Sequence, residues 1–289
     1  MLADAFAAER LRFFKARGTL FWSLGFVPLI GIGIGLIQGL LMRALLAKAA
    51  AQGADAASLT RNPVSLLNQA VDSVSGSNFF IVQLFFLIAG SAILAGDYRW
   101  ETWRFLTPRN TRANLLLAKL ATFGLATAIG LALLAVGGTI AGLISAGLTG
   151  GGVEWARPGG DPVKPLVGVF VIAWLEMMAV GALAAVVAVA TRAGLAALLV
   201  PVGVWIVQGF TLSQVQRGFE NPLSPPLQYL AAFPALDADI LKAALTPPET
   251  VMAGSAGNWP VALAALLLWI AGLTGLAIWL FQRQDLTRE

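Results

Sequence analysis

Two features of this sequence carry residues able to do chemistry, and both put ionisable groups where the surrounding chain is apolar. The first is Glu176, a carboxylate inside an otherwise uncharged run from about Leu166 to Ala190. A charged acid at that depth costs about 2.5–3.5 kcal/mol on insertion scales, so it must face protein or water. It can touch a substrate or take a proton, or it can be a hydrogen-bonded packing group between helices. Gln83 and Gln208 also sit within apolar runs, and with Glu176 they are candidates for a translocation path. Trp174 and Trp205 fit packing as well as they fit substrate stacking. The second feature is Gly96–Lys119, where Arg99, Arg104, Arg109, Arg112 and Lys119 stand with Asp97 and Glu101 between two apolar runs. With Trp100 and Trp103 it combines aromatic anchors with both signs of charge, the make-up of a docking surface.

Other chemistries are excluded by what is missing. The 289 residues contain no Cys and no His, so disulfides, Cys/His metal sites and His-based acid–base catalysis are ruled out. No Gly-Lys dipeptide occurs, which removes a phosphate-binding Walker loop, and no Gly-x-Ser-x-Gly elbow or paired carboxylates on one helical face appear. With 58% apolar and 12% charged residues and a mean hydropathy of +0.79, most of the chain has lipid as its solvent. The net charge of +4 comes from basic residues grouped at the ends of apolar runs, which predicts membrane orientation and no nucleic-acid partner.

The elements that position these residues are six predicted membrane spans, at about 20–42, 79–95, 119–146, 166–190, 195–212 and 260–281. Each apolar run approaches the ~20 helical residues that cross a bilayer core. The 36 residues from Lys119 to Glu154 enclose no charge, so the third helix must tilt or project beyond the bilayer. Residues 1–19 alternate Leu2, Phe6 and Phe13 with Arg10, Arg12, Lys15 and Arg17, the pattern of an interfacial helix resting on anionic membrane lipid, or of a charged flank to the first span. A cleaved signal peptide fits less well, because the Leu20–Met42 run exceeds the usual ~7–15-residue apolar core. Gly31, Gly35 and Gly39 form a ridge of small residues on the first span, suited to close helix packing or to a dimer contact, and Gly138 and Gly142 make a second pair. Residues 43–78 and 149–165 read as polar loops, the first holding a short Ser-Leu-Leu-Asn-Gln-Ala-Val helix. Residues 213–259 read as a long external loop with short helices near the interface. With both termini inside, twelve of the nineteen Lys and Arg are internal and seven external, which orients termini and the 96–118 loop to the cytoplasm.

The loop after the second span resembles that of type-2 ABC (ABC-2) exporter permeases, whose pattern is acidic–Tyr–x–Trp–Gly–Thr–x–Arg followed by a Leu-rich step, a turn, a basic residue and a Lys. Here the matching residues are Asp97, Tyr98, Arg99, Trp100, Thr102, Arg104, Leu106, Pro108, Arg112 and Lys119. Glu101 stands where Gly is usual, and Pro108-Arg109 replaces an Arg-Gly step. A weaker match is Tyr229-Leu230 with Phe233-Pro234. The resemblance implies an all-α membrane protein that is not itself catalytic and binds no cofactor in this chain. It also implies an inner-membrane exporter permease that pairs with a second permease copy through spans 1 and 5. Separate ABC ATP-binding subunits, holding ATP and Mg, would dock on a coupling helix in the 96–118 loop. Asp97, Tyr98, Arg99, Trp100, Glu101, Thr102, Arg104, Pro108, Arg109 and Arg112 are the expected coupling residues. Two other classes compete: a stand-alone carrier using Glu176 as a proton or ion site, and a non-transporting assembly factor. The first would show inverted repeats, and none is evident between 20–149 and 166–281.

Overall fold

The computed structural model describes residues 2–52, 63–100, 102–103, 110–156, 163–215, 225–245 and 258–285. Its elements in chain order are α1 (Leu2–Lys15), α2 (Arg17–Ala51), β1 (Val64–Ser65), α3 (Leu66–Ser75), α4 (Phe80–Arg99), α5 (Arg112–Thr149), β2 (Val153–Glu154), α6 (Val163–Thr191), α7 (Gly194–Val215), α8 (Leu227–Ala232), α9 (Pro234–Leu245) and α10 (Trp259–Arg283). A π-helical turn at Phe21–Gly25 interrupts α2 near its start. Six of these helices, α2, α4, α5, α6, α7 and α10, are long and apolar enough to cross a membrane. The molecule is an all-α membrane protein; β1 and β2 form only a short parallel pair that ties the two loops at one end of the bundle.

Several spans run past the expected ends. The third begins at Arg112 because Thr111 caps it, its hydroxyl accepting from the Asn114 amide at 3.3 Å. It ends where Gly150 turns left-handed, at φ 69°. At 38 residues it is about 57 Å long, nearly twice the hydrocarbon thickness, so it has room for the Lys119 end and for an opposite end that projects past the bilayer.

α6 sits at the centre, packed by α4, α5, α7, α9 and α10, and its small residues Ala173, Ala179, Ala182, Ala184, Ala185 and Ala188 are fully enclosed. The glycine ridge of α2 meets α5 of the same chain. Gly31 lies against Gly137 and Gly138, Gly35 against Ala141, and Gly39 against Ser145 and Leu148. No Cβ fits at Gly35 without displacing Ala141, so these glycines permit the close backbone approach that drives association in lipid. Gly138 and Gly142 face Ser73 and Gln69 of α3 in the same manner. The opposite face of α2, with Leu29, Ile37, Leu41 and Leu45, is exposed, as is a face of α7 with Leu199, Val207 and Phe210.

Candidate functional site

Two buried charge clusters stand out, one at each feature singled out from the sequence. At the head of the 96–118 segment, Asp97 and Tyr98 close α4, and both are buried. Lys119, two turns into α5, is 1% exposed and reaches back to Asp97 at 2.6 Å, Glu9 of α1 at 3.3 Å and the Ile93 carbonyl at 2.7 Å. Its three ammonium protons thus have three acceptors, as a buried lysine requires. Arg12 adds a second cation, 2.8 Å from Asp97 and 3.3 Å from Glu9. The Thr102 hydroxyl donates to Asp97 and the Thr102 amide to the Asp97 carbonyl at 3.1 Å, so the chain leaves α4 folded around its own last acid.

The same segment is clamped to the end of α10. Tyr98 donates to the Gln284 side chain at 2.9 Å, and Trp103 packs on Phe281 with ring centroids 4.5 Å apart. Arg112 caps the helix by donating to the carbonyls of Phe281 at 2.7 Å and Gln284 at 2.7 Å. A guanidinium is well placed there, since the final carbonyls lack helical partners and carry the negative end of the dipole. Of the expected coupling residues, Asp97, Tyr98, Thr102 and Arg112 therefore serve internal joints. Arg99 and Trp100 face outward as a stacked pair 5.2 Å apart, with Trp100 71% exposed. Glu101, Arg104, Pro108 and Arg109 lie outside the described residues.

The second cluster surrounds Glu176. Its carboxylate is fully buried, receiving the Lys242 ammonium at 2.6 Å and the Trp205 indole N–H at 3.3 Å. Lys242 belongs to α9, within the predicted external loop, and it also donates to the Ser75 carbonyl at 3.1 Å. α9 is thus tied to the middle of span 4 and to the end of α3. The hydrogen bonds of Glu176 come from Lys242 and Trp205, while Gln208 accepts from the Ala235 amide of α9 at 3.4 Å and Gln83 is fully buried with neither amide atom hydrogen-bonded. Trp174 has a packing use, donating to the Gly124 carbonyl at 2.8 Å. Sequence reading misses Lys242, Asp237 and Asp239 as parts of this region. The available signal was one basic residue in an apolar stretch, Ile240-Leu241-Lys242-Ala243. Asp239 accepts from Asn78 at 3.2 Å, and burial pushes its carboxyl up to about 6, with the Glu176 charge adding. Asp237 is fully buried without a hydrogen-bond partner, and burial raises it to about 8.

These spans and their buried ion pairs define an integral membrane protein whose polar interior belongs to its own joints. The comparison with known families narrows this. The model of the ABC-2 family transporter protein matches residues 16–286, nearly the whole chain, and the chain belongs to that family. It is therefore a membrane permease of an ABC transporter, the transmembrane component and not itself the catalytic one. No curated protein matches the chain.

Proposed function

We propose that this permease works as a dimer in an ATP-driven exporter of the inner membrane. Both termini and the 96–118 segment face the cytoplasm, and separate ATP-binding subunits dock on that segment. The observation carrying this reading is the way the segment's root is tied. Asp97, Lys119, Tyr98 and Arg112 join α1, α4, α5 and the end of α10 at one place, so a displacement of the outward Arg99–Trp100 pair is passed to several helices together. The exposed faces of α2 and α7 flank α4 and support pairing of two copies through spans 1 and 5. Glu176, Gln83 and Gln208 remain the proposed path residues. Gln83 is the strongest of them, because a buried amide without a partner is costly unless another state or a substrate satisfies it. The test is co-purification with the cognate ATP-binding subunit followed by ATPase measurement. Trp100→Ala should weaken the complex by ~10-fold or more, the scale of an aromatic anchor. Charge reversal at Glu101 and Arg104 should uncouple ATP hydrolysis from transport. Undiminished coupling in all three variants would reject the docking site, and transport driven by a proton gradient without ATP would favour the carrier.

A further inference from the structure

A cavity of about 150 Å³ lies between the C-terminal half of α7, the start of α9 and Asn78, which precedes α4 at the end opposite Asp97. Trp205, Gly209 and Leu212 stand at i, i+4 and i+7 and turn one face of α7 to it, while the exposed Val207 and Phe210 belong to another face. Nothing comes within 4 Å of where a Cβ on Gly209 would stand, so this glycine leaves the space open. Asp239 is the single charged group among the described residues of the lining. The lining side chains able to donate hydrogen bonds already do so. The Asn78 amide donates to Asp239 at 3.2 Å, the Ser213 hydroxyl to the Phe210 carbonyl at 2.7 Å, and the Trp205 indole to Glu176 at 3.3 Å. What the lining offers a guest is therefore acceptors, namely the Asp239 carboxylate, the Asn78 amide oxygen and the Ser213 oxygen, beside the ring carbons of Trp205.

Lys242 does not neutralise Asp239. Its ammonium is held by Glu176 at 2.6 Å and by the Ser75 carbonyl at 3.1 Å. Burial has the largest effect on the Asp239 carboxyl, and after it the Glu176 charge raises that carboxyl more than the Lys242 charge lowers it. Asp237, also on α9, is kept neutral by burial, which raises it to about 8. Glu176 and Asp239 thus share one cation, and it is Asp239 that faces the cavity. A primary ammonium carries the missing charge and three protons for three acceptors. A 150 Å³ cavity also has room for a carbon chain, since one of that size takes up a molecule as large as benzene. We infer that this cavity binds a small primary alkylamine in its ammonium form, with Asp239 as counter-ion, Asn78 and Ser213 as further acceptors and Trp205 and Leu212 against its chain. The site goes beyond the docking and path readings and depends on neither. Trp205 connects it to Glu176, so occupancy is felt at the buried pair.

The experiment is isothermal titration of the full-length protein in neutral detergent with n-butylammonium chloride, against n-butanol and potassium chloride. One butylammonium per chain should bind, ~10-fold or more tightly than butanol, the scale of a hydrogen bond to a charged group. The amine stays protonated throughout, so affinity should rise ~10-fold from pH 5 to pH 7.5 as the Asp239 carboxyl, near 6, loses its proton. Asp239→Asn should abolish both the binding and its pH dependence, and Glu154→Gln, an acid outside the cavity, should change neither. If Asp239→Asn is not monodisperse, Gly209→Leu fills the space while keeping every charge and favouring the helix, and it should remove binding. Absence of saturable binding overturns the inference, as does affinity that survives Gly209→Leu or ignores pH. Butanol binding as tightly would identify a merely apolar cavity, and potassium competing at equal concentration would identify an inorganic cation site; either result rejects the amine.

Discussion

The two charge clusters use the same residue types under opposite solvent conditions. The Glu9–Arg12–Asp97–Lys119 group lies at a helix end, with Arg12 half exposed and each acid within reach of two cations. Glu176 and Lys242 form a pair enclosed on all sides and supported by Trp205 and the Ser75 carbonyl, with Asp239 close enough to feel both charges. Redundancy is affordable where water can reach part of the network. At mid-span the pair must be complete, because removing one partner leaves an unsolvated charge. The first cluster is therefore built to tolerate movement, and the second to hold one arrangement until something displaces it.

That difference predicts a ranking. Glu176→Gln or Lys242→Met alone should destabilise the purified protein by about 3–5 kcal/mol, the usual penalty for orphaning a buried charge. The double substitution E176Q/K242M should recover most of it, because the pair's own net contribution is small. Thermal unfolding in detergent checks both, and additive single effects would break the comparison. Lys119→Met should cost less, about 1.5–3 kcal/mol, the range for charge-assisted hydrogen bonds, since Arg12 continues to serve both acids. A loss as large as that of Lys242→Met would show that Arg12 offers no backup.

The six spans and the charged segment were legible because hydropathy and charge grouping are local signals. Glu176 was legible as an anomaly for the same reason. Its partner was not: Lys242 is 66 residues away, in a stretch whose composition suits an interface as well as it suits a buried helix. The glycine ridge shows a related limit. Gly31, Gly35 and Gly39 announced a close helix contact, but spacing cannot tell a neighbour in the same chain from one in a second copy, and the structure gives the ridge to α5. Among the proposed coupling residues, sequence grouped Asp97, Tyr98 and Arg112 with Arg99 and Trp100. Burial separates them, since the first three hold the segment's root and the last two face out.

The smallest effect tests how α9 is held in place over the Glu176 pair. Asp237 sits inside the apolar contact of α9 with no hydrogen-bond partner, and burial raises its carboxyl from an ordinary value of 3.8 to about 8. The folded state therefore binds this proton more tightly than the unfolded chain does. The stability gained is complete below the unfolded value near 3.8 and declines as pH rises toward and through about 8. Asp239, raised to about 6 beside Asn78, Glu176 and Lys242, acts in the same direction over a lower window. The unfolding midpoint should fall progressively as pH rises from the ordinary value of 3.8 up to about 8, the window set by the two raised values. Asp237→Asn should remove the decline above about pH 6 and weaken it below, where Asp239 continues to contribute. The acids of the first cluster have no such isolation, since each is within reach of two cations. If Asp237→Asn leaves the pH profile unchanged, the buried carboxyl does not govern how α9 is seated, and the contrast rests on the Glu176–Lys242 pair alone.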